Sequence, residues 1–428
     1  MKRFNNPPKA EWDEILKRPM FDVSQLTASV SQILADIRQN GIQAIQKYTE
    51  KFDGVFIQNF TVSESEFVEA ASSLNPELKS AIEVAANNIF KFHQAQMPET
   101  KRVETMPGVV CWQKPVAIEK VGLYIPGGSA PLFSTVLMLS IPAKIAGCKE
   151  IVLCTPPDKN GRVNPAILFA AQHVGVTKVF KLGGIQAIAA MAYGVDVVPK
   201  VDKVFGPGNQ YVMAAKQLVS ISDAAIDMPA GPSEVAVMAD QSANPAFIAS
   251  DLLSQAEHGP DSQVILVTNN AHLVDHVEKE LIAQLNELPR MAIAEKALLN
   301  SRAIVVNSVD EMIEMINVYA PEHLIISMEN YLEIAEKIVN AGSVFLGNYT
   351  PESAGDYASG TNHTLPTNGW ARSFSGVNLE SYMKKITFQE ISREGIKTLG
   401  PVIEKMAAAE LLDAHKNAVT LRLKEINK

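Results

Sequence analysis

The sequence predicts an α/β protein with mostly parallel sheets. Short β-branched segments alternate with helix-length segments through the middle of the chain, a pattern typical of strands joined by helical crossovers. A chain of 428 residues, 47% of them hydrophobic, is long enough to bury more than one core. We therefore expect at least two globular units.

Nine segments have the composition of buried strands, and most are followed by a Gly or Pro turn. In chain order they are VGLYIP, EIVLCTPP, KVFKL, KVFG, EVAVMAD, QVILVT, RAIVVN, HLIISM and SVFLGN. The segment MPAGP, at residues 228–232, interrupts this series after the fourth strand. Two sheets are therefore predicted, one over residues 124–232 and the other from residue 233 onward.

Helices are predicted before, between and after these strands. From Ser24 to about Phe92, apolar residues recur at spacings of three and four, as on one face of a helix. Segments such as NPAILFAAQHVG and PAFIASDLLSQAEHG have helical length and lie between strands. After about Phe374 we expect no further strand, and the chain ends in the Ala-rich helix KMAAAELLDAHKNAVTLRLKEI.

Composition and charge favour a protein that binds small molecules. The net charge is -9 without any basic block, which argues against electrostatic binding of nucleic acid. The most apolar uncharged run, Ser129 to Ala143, contains two prolines and is shorter than a bilayer span, so we expect a buried helix. With no export signal and three unpatterned cysteines, Cys111, Cys148 and Cys154, we expect reduced thiols and a cytoplasmic location.

The first candidate for chemistry is the pair Gln255 and His258 at the end of a predicted helix. A spacing of three puts both side chains on one helix face, where an imidazole and an amide oxygen can bind one ion. Alternatively, His258 only caps the helix, because a cation is favoured at a helix C-terminus. The pair alone favours the capping interpretation.

Two further clusters combine acids with histidine. The segment PESAGDYASGTNH contains Glu352, Asp356 and His363 in a predicted loop after the strand SVFLGN, where α/β enzymes often carry active groups. Acids beside Gly and Ser are also ordinary turn residues. Glu322 and His323 precede the strand HLIISM and can share proton transfer, although a Glu-His dipeptide alone is a weak signal.

A Gly-rich turn, GPGN at residues 206–209, follows the strand DKVF and would let a ligand approach the backbone. It can equally be a plain tight turn. No GxGxxG motif follows any strand, so a dinucleotide would have to be held in another way.

The remaining histidines give no functional signal by themselves. Those at positions 93, 173, 272 and 276 are predicted on solvated helix surfaces, and His415 in the terminal helix would be interpreted in the same way.

The order of several long motifs resembles the histidinol dehydrogenase family over nearly the whole chain. These motifs are VGLYIPGGSAPLFSTVLM, GGIQAIAAMAYG, KVDKVFGPGNQYV, IDMPAGPSEV, ASDLLSQAEHGPDSQ, APEHL, GSVFLGNYTPESAGDYASGTNHTLPT and AAAELLDAHKNAV. The resemblance implies oxidation of L-histidinol to L-histidine through bound L-histidinaldehyde, with two NAD+ reduced, as the last steps of histidine biosynthesis.

The resemblance also implies a role for each site residue. The catalytic pair would be His323, as general acid and base, and Glu322, which would activate water for hydration of the aldehyde. One Zn2+ per subunit would be bound by Gln255, His258, Asp356 and His415, the last of these from the other subunit. Besides these four ligands and His323, the substrate would be contacted by Ser233, Glu352, His363 and Glu410. NAD+ would be bound by Tyr124, Gln186 and Asn209.

The fold implied by the resemblance is a domain-swapped homodimer with two incomplete Rossmann-like domains in each chain and small terminal helical segments. Residues 1–22 would form an N-terminal arm and residues 375–428 a tail on the partner subunit. Residues 23–123 and 233–374 would form the larger, metal-binding domain. Residues 124–232 would form the domain that binds the cofactor.

Two other classes of function compete with this interpretation. A zinc hydrolase would use Glu322 or Glu257 to activate a metal-bound water, although no HExxH helix is present. A non-catalytic binding protein can share the same scaffold, because fold does not determine function. The presence of both Glu322 and His323 argues against that second alternative.

Overall fold

The computed structural model describes residues 1–19, 23–127, 130–176 and 178–428. Gly128 and Ser129, in the first motif of the resemblance, lie outside these ranges. The described residues form the following strands: β1 (Lys2–Asn5), β2 (Arg102–Met106), β3 (Val109–Ala117), β4 (Lys120–Tyr124), β5 (Glu150–Thr155), β6 (Lys178–Lys181), β7 (Lys203–Phe205), β8 (Ala225–Ile226), β9 (Glu234–Ala239), β10 (Gln263–Thr268), β11 (Arg302–Val305), β12 (His323–Ser327), β13 (Ser343–Leu346) and β14 (Met383–Ile391).

Helices separate most of these strands. The described α-helices are α1 (Trp12–Ile15), α2 (Val23–Asp53), α3 (Glu64–Ser73), α4 (Pro76–Gln94), α5 (Phe133–Ala146), α6 (Pro165–His173), α7 (Gly184–Tyr193), α8 (Gln210–Val219), α9 (Pro245–Ala256), α10 (Ala271–Leu285), α11 (Met291–Leu299), α12 (Val309–Tyr319), α13 (Tyr331–Ala335), α14 (Glu352–Tyr357), α15 (Arg393–Ala409) and α16 (Asp413–Ile426). The alternation of strands and helices confirms the predicted α/β class.

Five parallel strands form one sheet, in the order β6-β5-β4-β7-β8. From β4 the chain adds β5 and β6 on one side of the sheet, and it then returns to add β7 and β8 on the other side of β4. This reversal is the topological switch point at which doubly wound folds bind ligands. Helices cover both faces, so the strands are almost continuously apolar, as the sequence suggested.

The six-stranded parallel sheet has the order β1-β11-β10-β9-β12-β13. Apart from β1, its strands repeat the order of the five-stranded sheet, with β9 at the centre and the switch between β9 and β12. The short N-terminal strand β1 was not predicted, and it pairs with β11 at the edge. All nine predicted strand segments therefore form strands, and they divide between two sheets on either side of residues 228–232.

A third, antiparallel sheet has the order β14-β3-β2 and was missed from the sequence. The expectation that strands end near Phe374 is wrong, because β14 pairs with β3 from Met383 opposite Ala117 to Ile391 opposite Val109. Most side chains of β14 are exposed, so this strand lacks the buried apolar pattern by which the other strands were recognised.

The predicted N-terminal helices are confirmed, but they pack differently from the predicted domain grouping. Helices α2, α3 and α4 pack on α7, α6 and α5, which cover the five-stranded sheet. Residues 23–123 were grouped with 233–374 because nothing in the sequence indicates which sheet a preceding helix covers. The exact domain limits, including those of the arm and the tail, stay predictions.

Several smaller expectations can be compared with the structure. The apolar run around residue 133 forms α5, which is almost wholly buried, and none of the described helices has the length and apolarity needed to cross a membrane. All three cysteines are free thiols.

His93 was predicted on a solvated helix surface, but it is fully buried in α4, because its helix is covered on that face. Its Nδ1 lies 3.1 Å from Oε1 of Gln96.

The switch point of the five-stranded sheet is held by a buried ion pair. Lys216 of α8 and Asp227 lie 2.5 Å apart, and both side chains are almost fully inaccessible. Lys216 Nζ donates to the carbonyl of Gly206 at 2.7 Å, and the amide of Gly206 donates to Asp227 at 2.8 Å. Gly206 has φ of 123°, and a Cβ there would overlap the carbonyl oxygen of Tyr124. The ion pair therefore holds a glycine that lets β4 and β7 end close together.

We expect Lys216→Met to lower the free energy of unfolding by about 3–5 kcal/mol, because Asp227 would be left buried and unpaired. Urea denaturation measures this change, and Lys216→Met/Asp227→Asn should recover part of the loss. The control is Lys178→Met, which removes an exposed ion pair with Glu150 at the same sheet and should cost less than about 1 kcal/mol. Equal losses in Lys216→Met and the control would contradict the role assigned to the buried pair.

Candidate active site

The predicted catalytic residues lie at the amino edge of the six-stranded sheet, not after its strands. Glu322 immediately precedes β12 and His323 is its first residue, beside Glu234 at the start of β9. A helix that follows a parallel strand runs antiparallel to it, so its C-terminal end lies at the amino edge of the sheet. Gln255 lies there near the end of α9, and Asp356 lies there near the end of α14. The expectation that active groups follow a strand was made for Glu352, Asp356 and His363; these follow β13 in the chain, but α14 returns Asp356 to the amino edge.

The segment after β13 is partly helical, although a loop was predicted. Glu352 and Asp356 belong to α14, on nearly one face because they are four residues apart, and His363 follows in irregular structure. His258 lies just beyond the end of α9, and its amide donates to the carbonyl of Gln255 at 3.3 Å. Gln255 and His258 are thus separated by one tight turn rather than lying within one helix.

Among the described residues, His258, Glu352 and Asp356 form a group able to bind a metal ion. One possible ligand atom from each lies within 4.8 Å of the others. Glu352 is 1% exposed, and neither of its carboxylate oxygens has a hydrogen-bond partner. A buried carboxylate without a partner is costly unless a cation or a donor binds it. The group therefore fits a divalent metal or a cationic ligand, and Glu352 belongs to it although it was predicted only as a substrate contact.

The backbone of Glu234 orients three side chains of the site. Its amide donates to Oε2 of Glu322 at 2.9 Å. Its carbonyl accepts from Nε2 of Gln255 at 3.1 Å, and the same nitrogen lies 3.3 Å from Oε2 of Glu322. The two hydrogens of the Gln255 amide are therefore matched to two oxygen acceptors, which fixes how the amide is turned.

The same carbonyl lies close to the imidazole of His323. Nδ1 of His323 lies 3.1 Å from the carbonyl oxygen of Glu234 and 3.1 Å from Nε2 of Gln255. Nε2 of His323 has no hydrogen-bond partner and lies 3.5 Å from Oδ1 of Asp356, on the side of the metal-binding group. His323 thus offers Nε2 for proton exchange.

Three neighbouring carboxylates control the charge of the site. Burial alone would lower the pKa of His323, but Glu322, Glu352 and Asp356 outweigh it and raise this pKa well above its usual value. Burial raises the pKa of Glu352 well above its usual value. For Asp356, the effect of burial is outweighed by the imidazole of His323, which lowers the pKa. The site concentrates negative charge around one imidazole.

His363 joins this site to the five-stranded sheet. Its Nδ1 donates to the carbonyl of Asp356 at 2.8 Å, and its Nε2 lies 3.0 Å from Oγ1 of Thr135 near the start of α5. Because α5 follows β4, His363 connects the metal-binding group to the element that leaves the switch point of the other sheet. Burial lowers the pKa of His363.

Sequence reasoning missed two residues that support the site. Arg18 forms an ion pair with the buried carboxylate of Glu234, and the side chains are 2.5 Å apart. Asp251 accepts a hydrogen bond from the amide of Glu352, and burial raises its pKa to about 7. Asp251 could have been noticed, since it lies four residues before Gln255 on the same helix face. No local signal identifies Arg18, because its partner is distant in sequence.

The predicted cofactor residues line a separate cavity of about 1540 Å³ at the carboxyl edge of the five-stranded sheet. Tyr124 ends β4, Asn209 precedes α8, and Gln186 lies in the first turn of α7, so they surround the switch point. The Tyr124 hydroxyl accepts from the amide of Gly184 at 3.2 Å, and burial raises the pKa of this tyrosine to about 12. Oε1 of Gln186 is buried without a partner.

Two predicted site residues are not brought to the metal-binding group within one chain. Glu410 and His415 are exposed near the turn between α15 and α16. These helices pack on each other and leave apolar side chains uncovered, including Met406, Leu411 and Leu412. Ser233, in contrast, directly precedes β9 at the same sheet edge as His323.

Comparisons with known proteins agree over the whole length of the chain. A sequence model of the family described as histidinol dehydrogenase matches residues 16–423. A histidinol dehydrogenase of Bacteroides thetaiotaomicron is 62% identical over 423 residues, 99% of each chain, and one of Vibrio vulnificus is 52% identical over 422 residues, covering 98% of this chain and 97% of the relative. The crystal structure of histidinol dehydrogenase from Elizabethkingia anophelis is similar with a TM-score of 0.98 at 54% identity, covering 100% of this chain and 99% of that one.

We expect Asp356→Asn to weaken the binding of added Zn2+ to the metal-binding group by at least about tenfold, since changes beside a metal ligand already cost that much. Zinc retained after dialysis against a competing chelator measures the loss. The control is Glu257→Gln, which removes a carboxylate next to His258 but outside the group, and it should retain zinc as the unaltered protein does. Equal retention in Asp356→Asn would show that this group is not the metal site.

Proposed function

The chain belongs to the histidinol dehydrogenase family, and on that basis we propose that it oxidises L-histidinol to L-histidine through bound L-histidinaldehyde, reducing two NAD+. Family membership makes the chain an NAD-dependent oxidoreductase, which excludes the hydrolase and the non-catalytic binding protein as its principal function. One observation carries the proposal. Glu322 and His323 lie beside a group of ligand atoms from His258, Glu352 and Asp356 at one sheet edge.

The ligand set proposed for one Zn2+ per subunit is Gln255, His258, Asp356 and His415 of the partner subunit. Nitrogen and oxygen ligands suit zinc. The fixed amide of Gln255 supports this set, because both hydrogens of its nitrogen are engaged and its oxygen remains as the ligand atom. Bound zinc would hold the imidazole and amino groups of the substrate, and its charge would offset the surrounding carboxylates.

Substrate recognition is assigned to the acids and to the residues around the zinc ligands. Histidinol is a cationic amino alcohol, so a buried carboxylate without a partner, Glu352, suits its ammonium group. Ser233 and His363 would contact the substrate from β9 and from the α5 side, and Glu410 would do so from the partner subunit. We expect these contacts to fix which carbon faces the cofactor.

Two residues divide the proton transfers in the proposed mechanism. Nε2 of His323 removes the proton of the substrate hydroxyl as a hydride leaves the carbinol carbon. Glu322 then takes a proton from the water that hydrates the bound aldehyde. His323, once it has passed its first proton to solvent, removes the proton of the hydrate during the second oxidation. The free Nε2 of His323 and the carboxylate of Glu322, 3.6 Å from Nδ1 of the same imidazole, support this division.

The cofactor is proposed to bind in the cavity at the carboxyl edge of the five-stranded sheet, through Tyr124, Gln186 and Asn209. NAD+ bound there would supply the hydride acceptor for both oxidations. The position at a switch point and the unpartnered Oε1 of Gln186 support this assignment.

We further propose that the active form is a homodimer whose C-terminal helices are exchanged between subunits. The exposed apolar side chains of the α15–α16 hairpin support this assembly, since such a surface is usually covered. His415 and Glu410 lie near the turn of the same hairpin, which would carry them to the partner's metal-binding group.

The first test counts NADH formed per limiting L-histidinol at 340 nm. We expect two NADH per substrate, lost on chelation and restored by Zn2+. In Glu322→Gln the second oxidation should slow by about 10² to 10⁴ fold, so one NADH forms first and aldehyde reacts with a carbonyl trap. Glu336→Gln changes an exposed acid at the C-terminal end of α13, and as the control it should still give two NADH. Two NADH at an unaltered rate in Glu322→Gln would contradict the assigned role.

A second test asks whether each site is shared between subunits. His415→Ala and Asp356→Asn should each be inactive, but their mixed dimer keeps one intact site, so co-refolding should restore about a quarter of the activity. Mixing Asp356→Asn with His323→Ala is the control, because both changes affect the same half of each site and no activity should return. Failure of the first mixture to recover, with mixed dimers present, would place His415 outside the partner's site.

A further inference from the structure

Four acids line the cavity at the carboxyl edge of the five-stranded sheet among the described residues, and the proposed function uses none of them. Of the acids in the described lining, Glu66 is paired with Lys181 and Glu69 with Arg162. Asp53, the last residue of α2, has a neutral partner instead: Nε2 of Gln186 lies 3.0 Å from its Oδ2.

The fourth acid in the lining, Asp158, is engaged by its own turn. Its Oδ1 accepts from the backbone amides of Asn160 and Arg162 at 2.8 and 2.9 Å. Among the four acids of the described lining, Asp53 thus differs in having a side-chain amide as its partner, rather than a cation or the backbone of its own turn. A half-buried carboxylate in this position is available to a hydroxyl of a ligand.

The position of Asp53 indicates which part of a dinucleotide it would meet. A Cβ on Gly183, which follows β6, would lie 3.2 Å from Oδ1 of Asp53 and would crowd Pro156, which follows β5. Asp53 therefore lies over the ends of β5 and β6, the second and third strands of this sheet. In doubly wound folds, the acid that hydrogen-bonds the adenosine ribose stands at the end of the second strand.

We propose that Asp53 accepts a hydrogen bond from a ribose hydroxyl of the bound dinucleotide and excludes a 2′-phosphate, so that it determines the preference for NAD+ over NADP+. The inference rests on the proposed binding of the cofactor in this cavity. Asp53 reaches the strand ends from a helix far away in sequence and replaces the acid usually carried by the strand itself. Gly183 leaves the space in which the carboxylate approaches. Burial raises the pKa of Asp53 to about 6, which still leaves the group mostly ionised and able to accept at neutral pH.

The test measures the dissociation constants of NAD+ and NADP+ by calorimetry on the zinc-loaded protein without substrate. In Asp53→Asn, which keeps the size of the side chain, the ratio of the NADP+ to the NAD+ constant should fall by about tenfold or more, because a charged hydrogen bond and a repulsion are both lost. The matched control is Asp158→Asn, which removes a charge from the same cavity but keeps the oxygen that its turn needs. Its ratio should stay within about twofold of the unaltered protein.

A second variant covers the case in which Asp53→Asn does not fold, as judged by circular dichroism. Asp53→Glu keeps the charge, so it should still prefer NAD+ even if both nucleotides bind more weakly. Three outcomes would overturn the proposal. The ratio could stay unchanged in Asp53→Asn, or it could fall in Asp53→Glu. It could also fall in Asp158→Asn by as much as in Asp53→Asn, or by more. If the unaltered protein binds neither nucleotide, the cofactor assignment of the cavity fails, and the inference fails with it. If it binds NAD+ and Asp53→Asn keeps the ratio, the inference about Asp53 fails alone.

Discussion

The main-chain groups of Glu234 are the fixed point on which the candidate active site depends. One amide and one carbonyl at the start of β9 orient Glu322, Gln255 and His323. The strand pairs in register with β12, so these groups cannot shift without breaking the sheet. Arg18, which follows α1, holds the side chain of the same residue. A parallel sheet thus provides the rigidity that positioned proton transfer requires.

The two parallel sheets repeat one strand order but offer opposite edges to their ligands. The five-stranded sheet opens its cavity at the carboxyl ends of the strands, whereas the candidate catalytic residues use the amino ends of the six-stranded sheet. Helix C-termini, which return to the amino edge, supply Gln255 and Asp356 there. His363 joins the two regions through Thr135 at α5. The same architecture therefore serves two different kinds of site.

The sequence predicted those features that depend on buried, local patterns. All nine apolar strand segments were found, because a strand covered on both faces is continuously hydrophobic. The strands β2 and β14 were missed because their side chains are largely exposed, and β3 because most of its side chains are only half-buried. The strands β1 and β8 were missed because they are short edge strands. At the site, each candidate was visible as a residue, but the meeting of Gln255, His323 and Asp356 depends on long-range packing. Arg18 and Asp53 were missed for the same reason, because their partners Glu234 and Gln186 are distant in sequence. Asp251 was missed although its spacing from Gln255 on α9 was a local signal.

The N-terminal strand β1 has a consequence for the order in which the chain folds. It pairs with β11, so residues 2–5 join a sheet whose neighbouring strand begins about three hundred residues later. The strands of the five-stranded sheet, by comparison, lie within residues 120–226, close to the helices that cover it. During synthesis from the N-terminus, the five-stranded unit can form while the first strand still lacks its neighbour. The six-stranded sheet, in contrast, can be completed only after residues 302–346 have been synthesised.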